Sequence, residues 1–199
     1  MNINLQTRGL EVQNNLPRVT GILQAAGLID FSMVRQDVME RAQLFGTAVH
    51  KTTQLWDLKK LDINSLDPSL LPYLEGWKKF LKDYDLEFTE NEIEHSLESK
   101  RYGFRGTPDR WHTIKCLLPD IKTSTQMYVA TAVQTAAYQI LIEENMGIKI
   151  KERLGVQLTE KGYKVEPYKD SSDKAMFLSC LSIYNWKQRH NMLDKRATS

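Results

Sequence analysis

The sequence predicts an α/β protein in which a mixed β-sheet is flanked by helices, and three observations support this prediction. Apolar residues recur at helical spacing towards both ends of the chain. Short, partly alternating apolar segments separated by turn residues occupy the middle, as is typical of strands. One helical segment separates two groups of these strands, and this order of elements favours a mixed sheet.

Three helices are predicted before the first strand. A short helix follows Thr20 and ends at Gly27, a residue suited to helix termination. A long helix is predicted over residues 32–57, where apolar residues recur every three to four positions. A third, amphipathic helix is predicted over residues 68–84, after a loop with capping residues.

The rest of the chain is predicted to alternate between strands and helices. A strongly helical segment over residues 125–145 ends before Gly147, and a closing helix begins near residue 171. Turn residues separate the apolar segments that we interpret as strands. The predicted strands cover residues 87–97, 104–114, 116–123, 149–159 and 163–168.

Length and composition are those of one ordinary globular domain. With 199 residues, 41% hydrophobic and 26% charged, the chain can bury a core of its own. We therefore expect a single domain over residues 1–199, with a helical part (about 16–84), a sheet-helix core (about 85–170) and a closing helix (about 171–194). The net charge of +2 indicates that any nucleic-acid contact comes from a local basic patch.

The cysteine content and the N-terminus exclude several classes of protein. Cys116 and Cys180 are too few for a disulfide framework or for a four-cysteine iron–sulfur cluster. The N-terminus lacks the apolar core of a signal peptide, and no apolar run approaches the roughly 18 residues of a spanning helix. We expect a cytoplasmic protein with no membrane partner and no iron–sulfur cofactor.

Two aspartates and a lysine lie on consecutive predicted strands. Asp120 and Lys122 are two residues apart and project from the same face of a strand, while Asp109 follows a glycine and a proline that favour a bend. If the strands pair, both carboxylates can reach one Mg²⁺ ion, with the Ile121 carbonyl as a further oxygen ligand. Lys122 would then orient a water molecule or offset charge on the phosphorane. Such a pair alone is more often solvated, but its apolar neighbours favour a site.

Other residues could complete a metal site. His50 ends a helical Gly46–His50 segment, and a neutral imidazole beside two carboxylates would accept Mn²⁺ as well as Mg²⁺. Glu92 and Glu94 are predicted to share a strand face, so either could be a further ligand. An exposed, charged strand face accounts for these two glutamates equally well.

A glutamine and a tyrosine share one face of the predicted helix over 125–145. Gln134 and Tyr138 are four residues apart, which places them one helical turn from each other. They could contact DNA phosphates or hold Lys122 in position. A surface glutamine and a half-buried tyrosine remain the alternative interpretation.

Taken together, these motifs resemble the PD-(D/E)xK nuclease superfamily, and most of all its RecB-like exonucleases. That branch includes phage-type exonucleases and a mitochondrial genome-maintenance exonuclease. Its pattern is a helical Gly-x-x-x-His, then Gly-x-x-Asp, then Asp/Glu-x-Lys, then Gln-x-x-x-Tyr. Over roughly residues 16–145 the chain supplies, in this order, Gly46…His50, Gly106…Asp109, Asp120-Ile-Lys122 and Gln134…Tyr138.

The resemblance implies a restriction-endonuclease-like core and assigns a role to each matched residue. It implies one or two Mg²⁺ or Mn²⁺ ions, a catalytic lysine and a helix motif near the DNA. The implied metal ligands are His50, Asp109, Asp120 and, less securely, Glu94. The implied catalytic residues are Asp109, Asp120 and Lys122, and the implied substrate-binding residues are Gln134 and Tyr138.

The function implied by the resemblance is metal-dependent hydrolysis of DNA by an exonuclease. Such an enzyme would act on single strands or free ends in recombination, repair or phage DNA processing, alone, as a homo-oligomer or within a larger recombination complex. Aromatic residues could stack bases in a single-strand channel, with Trp77, Tyr102 and Trp111 as candidates, although ordinary core or rim packing is the more common role of each taken alone. A structure-selective endonuclease and a catalytically silent nucleic-acid-binding subunit are the alternatives. The intact Asp109, Asp120 and Lys122 argue against the silent subunit.

Overall fold

The computed structural model describes residues 16–30 and 34–193. Residue 32, the predicted start of the long helix, and residue 194, the predicted end of the closing helix, lie outside these ranges. The helices are α1 (Val19–Ala25), α2 (Gln36–Asp57), α3 (Leu71–Asp83), α4 (Val129–Met146) and α5 (Asp173–Arg189). The strands are β1 (Leu97–Ser99), β2 (Phe104–Gly106), β3 (Leu117–Lys122), β4 (Glu152–Thr159) and β5 (Gly162–Tyr168).

The central sheet is mixed, in the order β3-β4-β5. Strands β3 and β4 run parallel and are joined through α4, whereas β4 and β5 are antiparallel. A parallel pair needs such a long connection because a tight turn can only join antiparallel strands. Strands β1 and β2 form a separate antiparallel pair. The prediction of an α/β fold with a mixed sheet flanked by helices is confirmed.

The segment before β3 differs from the prediction. The predicted strand over residues 87–97 contains a 3-10 turn, Glu90–Glu92, and only its last residue belongs to β1. The predicted strand over residues 104–114 ends at Gly106, because the chain beyond it forms isolated bridges instead of a ladder. The pairing on which the approach of Asp109 and Asp120 was made conditional is limited, among the described residues, to one antiparallel bridge between His112 and Leu117.

Two hydrophobic clusters pack on opposite faces of β3. Because side chains alternate along a strand, Leu118 enters the cluster formed with α1, α4 and α5, and Ile121 enters the cluster formed with α2 and α3. Both side chains are fully buried. Strand β3 therefore fixes its polar residues, Asp120 and Lys122, relative to both layers of helices.

Two glycines allow elements to approach closely beside β3. A Cβ atom on Gly106 would lie 2.9 Å from Cε1 of Tyr138 and 2.9 Å from Cγ2 of Val19, so β2 could not pack against α4 and α1 with a larger residue. A Cβ atom on Gly46 would lie 3.2 Å from Oγ1 of Thr123, at the end of β3. Both glycines of the sequence motifs are therefore packing contacts.

None of the helices in the described ranges combines the length and the apolar character that crossing a membrane requires.

Candidate metal centre

Three potential metal ligands from distant parts of the sequence meet beside β3. His50 lies on α2, Glu94 follows the 3-10 turn, and Asp109 lies in the irregular segment after β2. One ligand atom from each lies within 4.8 Å of the other two. His50 Nδ1 is 3.3 Å from Asp109 Oδ1 and 3.9 Å from Glu94 Oε1. This group can hold a metal ion.

The backbone of Ile121 connects this group to the sheet. Asp109 Oδ2 accepts a hydrogen bond of 2.7 Å from the Ile121 N–H, and His50 Nε2 lies 3.1 Å from the Ile121 carbonyl oxygen. Asp109 thus approaches β3 through its side chain, although its own segment is not a paired strand. The Ile121 carbonyl, a predicted metal ligand, faces the imidazole of His50.

A chain of polar contacts leads from Asp120 to α4. Lys122 Nζ lies 2.7 Å from Asp120 Oδ2 and donates a hydrogen bond of 3.0 Å to Gln134 Oε1. Gln134 Nε2 in turn donates to the Tyr138 hydroxyl at 3.1 Å. Gln134 and Tyr138 therefore lie where they can hold Lys122, one of the two roles considered from the sequence.

Asp120 lies outside the compact group of His50, Glu94 and Asp109. Its side chain is 2% exposed, and its Oδ2 forms an ion pair with the Lys122 ammonium at 2.7 Å. The oxygen-rich donor set with one imidazole suits Mg²⁺ or Mn²⁺.

The two aspartates differ in protonation behaviour. Burial favours the neutral form of Asp109, but the charge and hydrogen bond of His50 outweigh it and lower the pKa of Asp109 to about 2. Burial and the neighbouring Asp109 charge raise the pKa of Asp120 to about 6, against the attraction of Lys122. Neighbouring carboxylates with separated pKa values are typical of functional sites.

The two basic side chains of the centre are held in their charged forms. Burial opposes protonation of His50, but the Asp109 carboxylate, supported by Glu94, raises the pKa of His50 to about 10. Burial likewise opposes the charge on Lys122, and Asp120 and Asp109 outweigh it and raise the pKa of Lys122. Each cation is therefore stabilised by the carboxylates that surround it.

A buried ion pair behind the centre was missed from the sequence. Arg110 Nε donates a hydrogen bond of 2.7 Å to Asp57 Oδ2, and the two side chains are 0% and 2% exposed. Trp77 Nε1 donates a hydrogen bond of 3.0 Å to the other carboxylate oxygen, Asp57 Oδ1. The sequence offers no local signal for this pair, because its two members are 53 residues apart.

Other sequence-predicted residues are occupied elsewhere. Glu92, considered as a ligand, accepts hydrogen bonds from the Thr89 and Thr113 backbone N–H groups at 2.9 and 2.7 Å and fixes the turn before Glu94. Its carboxylate does not share a strand face with that of Glu94, since Glu92 lies in the 3-10 turn. The two tryptophans considered for base stacking, Trp77 and Trp111, are buried, which excludes them from that role.

Comparisons with known proteins support the fold. No protein-family model and no curated protein matches the chain. A solved structure to which the chain is similar is that of a Eubacterium rectale protein described as a "putative exonuclease". The two share 10% identity and a TM-score of 0.56, over 98% of this chain and 89% of that one. At this identity the likeness shows a nuclease-like fold and does not identify a branch of nucleases.

Proposed function

We propose that this protein is a metal-dependent DNA exonuclease of the PD-(D/E)xK type. The observation that carries the proposal is the meeting of His50, Glu94 and Asp109 at the edge of a strand that also carries Asp120 and Lys122. Ligands for a hard cation and a partly buried lysine in one place are what hydrolysis of a phosphodiester requires. The similarity to a structure described as an exonuclease adds support.

The cation of the proposed enzyme is Mg²⁺ or Mn²⁺. Asp109, Asp120 and His50 would hold it, with His50 losing its proton when the cation binds, and the Ile121 carbonyl and Glu94 would be further ligands. When bound, such a cation lowers the pKa of a coordinated water and offsets charge on the phosphate. The ligands come from α2, the segment after β2 and β3, so the folded chain defines their relative positions before any cation binds.

Lys122 is the proposed catalytic cation. Its ammonium lies between Asp120 and Gln134, and three N–H bonds allow it to keep both partners and to donate to a further oxygen. That oxygen would belong to the attacking water or to the phosphoryl group that gains charge in the transition state. Gln134 contacts this ammonium directly, and Tyr138 contacts Gln134, so both residues of α4 would position Lys122. Both would also contact the DNA if the substrate strand passes along α4.

A polar cavity beside Tyr138 is the proposed place for a phosphate at the end of the substrate strand. It has a volume of about 280 Å³ and two arginines, Arg18 and Arg105, in its wall. Four of its other lining residues carry a hydroxyl group, Thr20, Ser96, Thr107 and Tyr138, and the remaining two are Val19 and Gly106. Guanidinium groups and hydroxyls are donors that bind phosphate. Tyr138, in the wall of the cavity, is linked to the proposed catalytic Lys122 through the side chain of Gln134.

If this cavity binds the phosphate of a 5′ end, the enzyme should prefer 5′-phosphorylated ends. A charge-assisted hydrogen bond contributes about 1.5–3 kcal/mol, so we expect a preference of roughly tenfold or more over a 5′-hydroxyl end. The preference should disappear in Arg105→Gln and persist in Lys151→Gln, which changes an exposed lysine just before β4 and serves as the control. The measurement is digestion of one duplex with each type of end. Equal rates for the two ends in the native protein would contradict the 5′-phosphate assignment.

Digestion of linear and covalently closed circular DNA tests the proposed function itself. With Mg²⁺ or Mn²⁺ the native protein should degrade the linear DNA and spare the circle, because an exonuclease needs an end. EDTA should abolish degradation, because the oxygen ligands bind substrate only through a cation. Single-stranded and duplex ends are both included, since either could be the preferred substrate.

The alternatives give distinct results in the same assay. Nicking of the circle would favour a structure-selective endonuclease on the same fold. Metal-independent DNA binding without cleavage of either form would favour a silent nucleic-acid-binding subunit. In both cases the exonuclease proposal would be wrong.

A further inference from the structure

We infer that Arg110 is a positioning residue, which holds Glu94 and Asp109 in the arrangement that binds the cation. This inference rests on the proposed function, because it assigns a role toward the same metal centre. Arg110 follows Asp109 in the sequence but is turned away from solvent, into the cluster formed by α2, α3 and the sheet.

The contacts of Arg110 extend to both acidic ligands that lie outside β3. Its Nη1 donates to the backbone carbonyl of Asp109 and lies 3.5 Å from Glu94 Oε1. The Glu94 N–H in turn donates to the same Asp109 carbonyl at 3.1 Å. One guanidinium therefore contacts the backbone of one ligand and the carboxylate of the other, and a change in its position would move both.

Asp57 and Trp77 hold the Arg110 guanidinium in place on the side away from the metal ligands. Asp57, the last residue of α2, accepts from Arg110 Nε and from the Trp77 indole. The guanidinium also lies over the Trp77 ring, with Cζ 5.8 Å from the ring centroid. A planar guanidinium held by a carboxylate and an indole keeps one orientation, which a flexible ammonium would not.

Two features indicate that this arrangement serves the site beyond its contribution to packing. Glu94 has a φ of 55°, in the left-handed region that a non-glycine residue rarely adopts, so its placement costs free energy. The buried Nη2 atom of Arg110 has no hydrogen-bond partner among the described residues. The strained backbone of Glu94 and the unpaired Nη2 of Arg110 both lower the stability of the fold. Apolar residues in place of the buried Arg110–Asp57 ion pair would stabilise the fold at least as well, so these unfavourable features are expected where the position of a side chain matters for binding a ligand.

The test is a Mn²⁺ titration followed by electron paramagnetic resonance, which measures binding without DNA. The native protein, Arg110→Lys, Glu94→Gln and the double variant are compared. Loss of a residue that orients metal ligands is expected to weaken Mn²⁺ binding roughly 10–100-fold in Arg110→Lys. If Arg110 acts through Glu94, the double variant should lose clearly less affinity than the product of the two single losses.

Two further variants separate positioning from general destabilisation. Trp77→Phe keeps an aromatic ring in the core and removes the hydrogen bond to Asp57, and it should weaken Mn²⁺ binding by about threefold or more. If Arg110→Lys does not fold, the Mn²⁺ affinity of Trp77→Phe decides the test instead. Phe104→Leu changes a buried residue of the other cluster, away from the centre, and should leave Mn²⁺ affinity unchanged.

The outcomes distinguish this inference from the proposed function. A native protein that binds no Mn²⁺ would overturn the proposed metal centre and the role of Arg110 with it. Native binding that Arg110→Lys or Trp77→Phe leaves unchanged would overturn the role of Arg110 alone. Losses that multiply in the double variant would show that Arg110 acts independently of Glu94, which also contradicts the inference.

Discussion

Replacement of Lys122 by alanine is expected to lower the rate of DNA hydrolysis by roughly 10²–10³-fold, the range seen when one preorganised donor to transition-state charge is removed. The substitution removes the ammonium that lies 2.7 Å from Asp120 and is held by Gln134. Because Lys122 is not a proposed metal ligand, binding of Mn²⁺ should persist. The defect should therefore appear in the rate at saturating metal and DNA.

Single-turnover digestion of linear DNA at several Mn²⁺ concentrations measures this effect. Lys164→Ala, which removes an exposed lysine of β5, is the matched control and should digest DNA at the native rate. Gln134→Ala should show a smaller loss, since the ammonium keeps its contact with Asp120. A Lys122→Ala enzyme with a rate within threefold of native would exclude Lys122 from the reaction.

Replacement of Asp109 by asparagine is expected to abolish metal-dependent hydrolysis. Asparagine keeps the size of the side chain and can still accept the Ile121 N–H bond, but it lacks the charge that binds a cation. A metal ion contributes several kcal/mol to transition-state stabilisation, and each 1.36 kcal/mol is tenfold in rate, so the loss should reach about 10³-fold or more.

The experiment on Asp109 combines a Mn²⁺ titration with the digestion assay. Asp85→Asn is the control, because Asp85 is a surface carboxylate whose side chain is 97% exposed. Thermal unfolding of each variant shows whether the chain remains folded. An Asp109→Asn protein that binds Mn²⁺ with native affinity would contradict the proposed ligand set.

The sequence predicted the elements whose patterns are long and regular. The helix over residues 125–145 corresponds to α4, and the strands over 149–159 and 163–168 correspond to β4 and β5. Their apolar periods are long enough to separate helix from strand. The mixed sheet followed from the order of these elements.

The prediction failed where tertiary contacts decide the backbone. The region around Glu92 has the alternation of a strand, but Glu92 accepts the Thr113 N–H, which is 21 residues away, and this bond favours a turn. No local pattern encodes such a partner. The same reason explains why Asp57 and Arg110, 53 residues apart, could not be paired from the sequence.

The candidate site was predicted in part. The motifs named the residues that meet, among them His50, Asp109 and Lys122, while their expected geometry depended on paired strands that do not form. Asp109 reaches β3 with its carboxylate because Ile121 offers a backbone N–H there. The catalytic and metal-binding roles of these residues remain predictions.

Strand β3 has a consequence for how the protein would respond to heating. Its Leu118 and Ile121 belong to different hydrophobic clusters, and the proposed ligands His50 and Asp109 contact its backbone at Ile121. A cation bound to His50 and Asp120 would link a helix of one layer to the strand that both layers share. Because a ligand that binds only the folded state stabilises it by mass action, added metal should delay melting of the two layers together. The metal centre would then act as a cross-link that makes unfolding more cooperative.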